Sequence, residues 1–526
     1  MEKYLIEFYS RHKVLFLLIS TLFLSLLVKT INIGFTNCIS NDGVFHVNFA
    51  RSLLEGNYKE YLNEFIPCFY AVLIAITSLV IDDLELAGQI VSGIAGSGMV
   101  ILMYFLGKRF FNIRIGLIMA LMAALSPLFN AYACKVMTDM PYALFYAWAV
   151  LVGYDLVQKP TAKRIVIFSL VSAAAYYLRP EGFGIVIVIG CWLLYNCFRV
   201  SLTEAVKKCF GFSIFILLFL LLIYPQIALI HSKTGEWTFS AKTSYIIRDI
   251  PKLQQSIVRK DRNAEREVYK QSGGIGKIVV QNPWLFAKKM TGNMISYIRG
   301  MPKALGFGLF MLMLMGIFYR KAIPFRREQE LFFLFVILFN VLAMSLIKYK
   351  PRLFISVLPF LYIWCAIGMV EMQSALKNRK GLLSCIVLIV FLAILPQTFR
   401  PVSKYGYSWR HSPEKTAGRW IRENISQSRF LSWHGKKTLF YAGLSKHHMI
   451  NEGASYDHLM EIAQENDLQY LIINSNPKTK SIRKHRADFF EQVKHRSDMQ
   501  LVYSARQPPD KDEILIYKLF THDDSK

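Results

Sequence analysis

The sequence predicts an all-α polytopic membrane bundle of about 11 transmembrane helices plus outer-face surface helices, with a small C-terminal α/β extracytoplasmic domain. Of the 526 residues, 54% are hydrophobic and the mean hydropathy is +0.32, too apolar for one soluble domain. Apolar stretches of near bilayer-spanning length recur along the chain. Almost every ionisable side chain lies at the ends of these stretches, as expected of helices that cross a membrane.

The basic character of the chain is explained by membrane topology and lipid phosphate. The formal net charge is +26, but Lys and Arg lie between the apolar runs and in the tail rather than in one soluble basic domain. We therefore expect contacts with membrane lipids and none with nucleic acid.

The N-terminal apolar run is predicted to be a retained first helix. Lys3, Arg11 and Lys13 precede the run from Val14 to Ile33. This run is too long for the core of a typical signal peptide, and it lacks a clean small-residue cleavage site.

The charge pattern predicts the direction in which the helices cross. The predicted spans are 14–33, 87–106, 115–134, 138–157, 164–178, 183–198, 210–230, 303–319, 330–347, 352–370 and 382–396. With the N-terminus in the cytoplasm, a basic cluster lies at every short cytoplasmic loop, as the positive-inside rule requires. These clusters are Lys108/Arg109/Arg114, Lys159/Lys163/Arg164, Arg199/Lys207/Lys208, Arg320/Lys321/Arg326/Arg327 and Lys377/Arg379/Lys380.

The run from Phe65 to Ile81 decides this topology. If it crossed the membrane, every later basic loop would move outside, so we predict a re-entrant or surface helix on the outer face. The outer side then holds 34–86, 231–302 and everything after about 397.

Two domains are predicted, a transmembrane domain over 1–396 and a soluble domain over 397–526. The second has strand-like runs at Thr438–Tyr441, Tyr470–Ile473 and Glu513–Phe520, and a helical segment around Tyr456–Glu465. This mixture indicates a small α/β domain.

The first predicted outer loop carries a carboxylate and an imidazole at helical spacing. Asp42 and His46 are four residues apart, so a helix that begins here puts both on one face. Asp42 there can act as a base or a metal ligand beside the imidazole. Alternatively, Asp42 only caps the helix.

A second outer carboxylate, Asp139, precedes Pro141 at a predicted helix start. It too can be a simple cap. Since Asp42 and Asp139 share the predicted outer side, together they can hold a divalent cation such as Mg²⁺ or Mn²⁺ that braces a phosphate.

Two outer turns carry further charges. Arg179-Pro180-Glu181-Gly182 joins two helices, and its charges suit either substrate contacts or ordinary interfacial roles. Lys348, Lys350 and Arg352 crowd positive charge on the side where topology does not require it, which favours anion binding.

In their order along the chain and their shared place on the predicted outer side, these features resemble the GT-C superfamily of polytopic glycosyltransferases. The resemblance is strongest to the branch of protein O-mannosyltransferases and the lipid A aminoarabinose transferase. The resemblance runs from about Tyr4 to Pro396, and the tail matches only in its placement. The residues that carry it are Asp42, Pro67, Asp139, the turn Arg179–Gly182 and the stretch Arg352–Pro359.

The resemblance implies transfer of a sugar from an undecaprenyl- or dolichyl-phosphate donor to a lipid, glycan or protein acceptor on the outer face, with inversion. It implies Asp42 as general base supported by His46, and Asp139 as metal ligand or acceptor-orienting group. Arg352, with Lys348 or Lys350, would stabilise the departing phosphate, and Arg179 and Glu181 would bind substrate.

The sequence departs from the family pattern at three places. Gly43 replaces the glutamate that often follows the first aspartate, and His46 replaces a tyrosine. The lysine that precedes the outer-loop proline in aminoarabinose enzymes is missing before Pro67. Sugar and acceptor are therefore left open.

Two other functions are compatible with a polytopic chain. A transporter or lipid flippase places ionisable residues near the bilayer midplane, whereas Asp155, Lys303, Glu330 and Arg352 all lie near predicted helix ends. A non-catalytic assembly subunit with a recognition tail is the third possibility.

Overall fold

The computed structural model describes residues 2–36, 38–242, 279–319, 327–347, 349–399, 412–425, 430–433, 436–444, 448–449, 456–474, 499–506 and 513–520. The chain forms two compact units, one of residues 1–33 and 49–403, the other of residues 34–48 and 404–526. The segment that carries Asp42 and His46 thus groups with the tail.

The described helices up to residue 399 account for every predicted span. They are α1 (Glu2–Gly34), α2 (Asn41–Leu54), α3 (Phe69–Ser78), α4 (Leu84–Phe110), α5 (Ile113–Leu125), α6 (Pro127–Ala133), α7 (Asp139–Gln158), α8 (Ala162–Leu178), α9 (Gly184–Cys197), α10 (Leu202–Thr234), α11 (Pro283–Leu305), α12 (Phe307–Phe318), α13 (Arg327–Ser345), α14 (Leu358–Ala375) and α15 (Lys380–Thr398).

By length and composition, seven described helices can each cross a membrane, or nine spans if each of two bent pairs counts as one. The bent pairs are α5 with α6, at 52°, and α11 with α12, at 112°. The predicted spans at 164–178 and 352–370 correspond to α8 and α14, which fall outside this count. The predicted fold class is confirmed, and the chain is an integral membrane protein.

Helix α3 is too short to cross a bilayer, as predicted for this segment. It has 10 residues, whereas a span needs about 20. Its buried Tyr70 hydroxyl bonds the Gly88 carbonyl at 2.8 Å and accepts from the Met137 backbone N–H at 3.0 Å. Tyr70 thereby ties α3 to α4 and to the segment that leads into α7.

A buried lysine lies inside α1, within the run that the sequence predicts to cross the membrane. The Lys29 amino group donates to Ser25 Oγ at 2.6 Å and to Asn130 Oδ1 at 3.1 Å. Only 2% of Lys29 is exposed. Gly96 on α4 makes room for it, since a Cβ there would lie 2.6 Å from Lys29 Cε.

The tail holds a five-stranded sheet in the order β2-β1-β3-β5-β4. Its elements are α16 (Pro413–Asn424), β1 (Phe430–Trp433), α17 (Lys436–Tyr441), β2 (His448–Met449), α18 (Tyr456–Glu465), β3 (Tyr470–Asn474), β4 (Met499–Arg506) and β5 (Glu513–Leu519). β1 is parallel to β2 and β3, and β5 is antiparallel to β3 and β4. The strand predicted at Thr438–Tyr441 is wrong, because these residues form α17, which buries Thr438 and Leu439.

Candidate active site

A cavity of about 360 Å³ lies within the unit of residues 1–33 and 49–403. Four predicted site residues line it: Asp139, Arg179, Glu181 and Arg352. They come from the start of α7, the turn between α8 and α9, and the 3₁₀ segment Pro351–Ser356. Chain segments that are far apart in sequence therefore converge on one cavity.

Asp139 begins α7, as Pro141 predicted, and is only 2% exposed. Its position depends on the preceding residues, which Tyr70 fixes through the Met137 N–H. The carboxylate thus lies at the positive end of the helix dipole, where a negative charge is favoured.

The turn between α8 and α9 presents Arg179 to the cavity. The Gly182 N–H donates to the Arg179 carbonyl at 2.8 Å, which closes the turn. Gly182 packs against the backbone of α8, because a Cβ there would come within 2.7 Å of Ala175 C and Tyr176 N. The glycine therefore allows the close approach that fixes the turn.

Charges of alternating sign run along one wall of the cavity. Arg179 donates to Asp139 Oδ1 at 2.6 Å, and its Nε lies 3.6 Å from Glu181 Oε2. Lys242 Nζ lies 3.7 Å from the other Glu181 oxygen, and the Arg179 guanidinium lies 5.4 Å from the Tyr142 ring centre. Burial alone lowers the pKa of Arg179, but the charges of Glu181 and Asp139 raise it above its ordinary value. Arg179 therefore stays protonated.

Arg352 is the further cation of the cavity lining. Lys350, two residues earlier, is exposed and does not line the cavity. Lys348 lies outside the described residues. Of the basic residues predicted at this turn, the structure therefore brings Arg352 to the cavity.

Most other lining side chains are apolar: Phe183, Ile187, Phe239, Phe339, Ala343, Met344, Leu346, Ile347, Leu353 and Ile355. Two polar residues from facing helices lie among them. Asn340 on α13 donates to the Tyr146 hydroxyl on α7 at 2.7 Å and to the Val336 carbonyl at 2.7 Å. The cavity thus combines a charged wall with apolar surface.

Asp42 and His46 lie on α2, in the unit that includes the tail. The predicted helix is present and carries both residues, four positions apart. The side chain that accepts from the backbone at its start is Ser40, whose Oγ bonds the Gly43 N–H at 2.9 Å. Asp42 is exposed in the first turn, whereas His46 is 3% exposed.

The sequence predicts a metal site at Asp42 and Asp139. Within the described part of the chain, no three His, Cys, Asp or Glu side chains cluster closely enough to hold a metal ion. The Asp139 oxygen already accepts from Arg179, a cation that competes with a metal for the same lone pairs.

Lys242, Asn340 and Tyr146 were not predicted as site residues. Lys242 belongs to the loop 231–302, which is basic on the side where topology does not require it, and that excess was the available signal. Asn340 and Tyr146 lie inside apolar runs and meet only through the packing of α13 and α7.

Comparison with known proteins supports the fold. Residues 66–227 match the Dolichyl-phosphate-mannose-protein mannosyltransferase family. No curated protein matches the chain significantly. The family match covers α3 to α9 and most of α10, and so includes Asp139, Arg179 and Glu181.

Solved structures align over most of the chain. ArnT from Cupriavidus metallidurans bound to undecaprenyl phosphate has a TM-score of 0.58 at 12% identity, over 95% of this chain and 97% of that chain. The oligosaccharyltransferase of Archaeoglobus fulgidus, tethered to an acceptor peptide with the NVT sequon, has a TM-score of 0.59 at 12% identity, over 89% and 70%. The same enzyme with Zn and sulfate has a TM-score of 0.54 at 13% identity, over 87% and 67%. These similarities establish the shared fold.

Proposed function

We propose that this chain, whose fold is that of the GT-C glycosyltransferases, transfers a sugar from a polyprenyl-phosphate donor to a lipid, glycan or protein acceptor on the extracytoplasmic face. The solved relatives that share the fold include one bound to undecaprenyl phosphate and one tethered to an acceptor peptide. Both support a lipid-linked donor and an acceptor of this general kind.

The observation that carries the proposal is the composition of the cavity. Arg179, Lys242 and Arg352 supply positive charge, while residues such as Phe339 and Ile347 supply apolar surface. A polyprenyl-phosphate sugar has the complementary chemistry, a phosphate joined to a hydrocarbon chain. Arginine is well suited to the phosphate because its planar guanidinium can donate two parallel hydrogen bonds.

The charge balance of the cavity suits the leaving group. Three cations and the carboxylates of Asp139 and Glu181 leave one net positive charge. As the bond between the anomeric carbon and the phosphate oxygen breaks, the phosphate gains negative charge. Fixed positive charge stabilises that transition state more than the ground state. Arg352 lines the cavity from the 3₁₀ segment Pro351–Ser356, and we assign it to the departing phosphate because its guanidinium can donate two parallel hydrogen bonds.

Asp42 is proposed as the general base. It removes the proton of the acceptor hydroxyl, whose oxygen then attacks the anomeric carbon as the polyprenyl phosphate leaves, which inverts the configuration. His46, one helical turn later on α2, supports Asp42 electrostatically. Such a base contributes about 10²- to 10⁴-fold to a rate.

Replacement of Arg352 tests the donor site. With a radiolabelled polyprenyl-phosphate sugar, Arg352→Gln should lower kcat/KM by about 100-fold, the usual effect of losing one group that stabilises a developing anion. The matched control is Arg199→Gln, because Arg199 pairs with Glu328 on exposed surface that does not line the cavity. Equal activity of the two variants would refute the assignment of the cavity.

Replacement of Asp42 tests the base. Asp42→Asn keeps the size of the side chain but cannot accept a proton at neutral pH, so transfer should fall by about 100-fold or more. Asp83→Asn is the control, because Asp83 is an exposed helix cap that accepts from the Glu85 and Leu86 N–H groups. Undiminished transfer by Asp42→Asn at normal protein abundance would eliminate the base. Donor binding without transfer to any acceptor by the unsubstituted protein would favour the transporter or assembly function.

The metal requirement is a separate proposal. If Asp42 and Asp139 share Mg²⁺ or Mn²⁺, EDTA should abolish transfer and either ion should restore it. Full activity of the chelated protein would remove the metal from the mechanism and leave phosphate stabilisation to the cations of the cavity.

A further inference from the structure

A tyrosine of the tail contacts the segment that precedes Asp42. The Tyr441 hydroxyl accepts a hydrogen bond of 2.8 Å from the backbone N–H of Ile39, 402 residues earlier in the chain. Both residues belong to the same compact unit. The last residue of α17 is thereby joined to the start of the helix that carries Asp42.

Tyr441 is itself held by its neighbours in the tail. Gly418 on α16 allows it to pack closely, because a Cβ at Gly418 would lie 2.5 Å from Tyr441 Cβ. The Lys415 ammonium lies 5.0 Å from the centre of the Tyr441 ring, a cation–π contact. The hydroxyl therefore projects from a ring that packing and charge hold in place.

The contact lies directly beside the cap of α2. Ile39 is followed by Ser40, whose hydroxyl accepts from the Gly43 N–H at 2.9 Å and whose carbonyl accepts from the Val44 N–H at 3.0 Å. Asp42 lies within this capped first turn. The position of the Ile39 backbone thus sets where the helix begins and how its first turn is oriented.

From this geometry we infer that Tyr441 is a positioning residue for Asp42, so that the C-terminal domain aligns the catalytic base. The inference rests on the proposed role of Asp42. Displacing a catalytic group by about 1 Å can cost about 100-fold in rate, although binding contacts elsewhere are untouched. By positioning Asp42, the C-terminal domain would affect the rate of the chemical step.

Tyr441→Phe tests this role, because it removes the hydroxyl but keeps the ring that contacts Lys415 and packs on Gly418. We expect kcat to fall by about tenfold to 100-fold, with the KM for the donor unchanged. Tyr503→Phe is the matched control, since Tyr503 belongs to the same unit and its ring stacks on Trp420. Its kcat should stay at the level of the unsubstituted protein.

The double variant with Asp42→Asn separates positioning from general stability. If Tyr441 acts through Asp42, adding Tyr441→Phe to Asp42→Asn should not lower the residual transfer further. A further loss by the same factor as in the single variant would overturn the inference, and so would an unchanged kcat of Tyr441→Phe alongside an inactive Asp42→Asn. Full activity of Asp42→Asn would instead refute the proposed base.

Discussion

Arg179 bonds Asp139 at 2.6 Å across 40 residues of sequence, and both side chains are largely buried. Asp139 is 2% exposed and Arg179 11%, so water screens their interaction little. The pair fixes the guanidinium at the cavity wall, where Glu181 also contacts it. Asp139, which the sequence predicts as a metal ligand, therefore contacts Arg179, which the sequence predicts as a substrate-binding residue.

Removing one member of this pair should lower the free energy of unfolding more than removing both. Arg179→Gln leaves the buried Asp139 carboxylate without the arginine, and Asp139→Asn leaves Arg179 with the longer contact to Glu181. Each change should lower the free energy of unfolding by about 3 kcal/mol. The double variant removes both charges and should be more stable than either single variant. Thermal unfolding in detergent measures this cycle. A double variant whose loss equals the sum of the single losses would show that the two side chains are not coupled.

Local sequence signals predicted those parts of the fold that depend on nearby residues. Asp139 before Pro141 marked the start of α7, and the short apolar runs at Tyr470–Ile473 and Glu513–Phe520 located β3 and β5. The run at Thr438–Tyr441 was assigned to the wrong class, because a run of only four residues does not distinguish a strand from one buried helical turn. Lys242 and Asn340 reach the cavity only through tertiary packing, which periodicity does not encode.

The buried hydrogen bond between Lys29 and Asn130 allows a second test of how buried polar contacts contribute to stability. Asn130 accepts from the Lys29 amino group at 3.1 Å and donates to the Ala124 carbonyl at 2.9 Å, beside the bend between α5 and α6. Asn130→Leu removes both bonds and should lower the free energy of unfolding by about 2–3 kcal/mol. Adding Lys29→Met should restore part of this loss, because it also removes the buried amino group that has lost the Asn130 acceptor. A double variant less stable than Asn130→Leu would contradict the network.

The contact between α12 and α14 depends on Gly316. A Cβ at this position would overlap the Trp364 carbonyl oxygen, a backbone atom that cannot rotate away. Gly316→Ala should therefore lower the free energy of unfolding by about 1–3 kcal/mol. Gly292→Ala on α11 is the control, since its Cβ would meet nothing within 4 Å. Removal of a helical glycine there should raise stability by up to about 1 kcal/mol, and equal effects at both positions would show that helix contact is not the cause.

The predicted orientation can be measured at the two ends of α4. This helix has 27 residues and a length of about 40 Å, more than the roughly 30 Å of a hydrocarbon core, so its ends emerge on opposite sides. Asp82 lies just before this helix and Lys108 lies in its last turn, and both side chains are exposed. In intact cells, Asp82→Cys should react with an impermeant thiol reagent beyond the background of the native cysteines, whereas Lys108→Cys should react only after permeabilisation. If Lys108→Cys alone were labelled in intact cells, the predicted orientation would be inverted. Asp139, Arg179 and Arg352 would then lie on the cytoplasmic side. A donor headgroup presented outside would then have no access to the cavity.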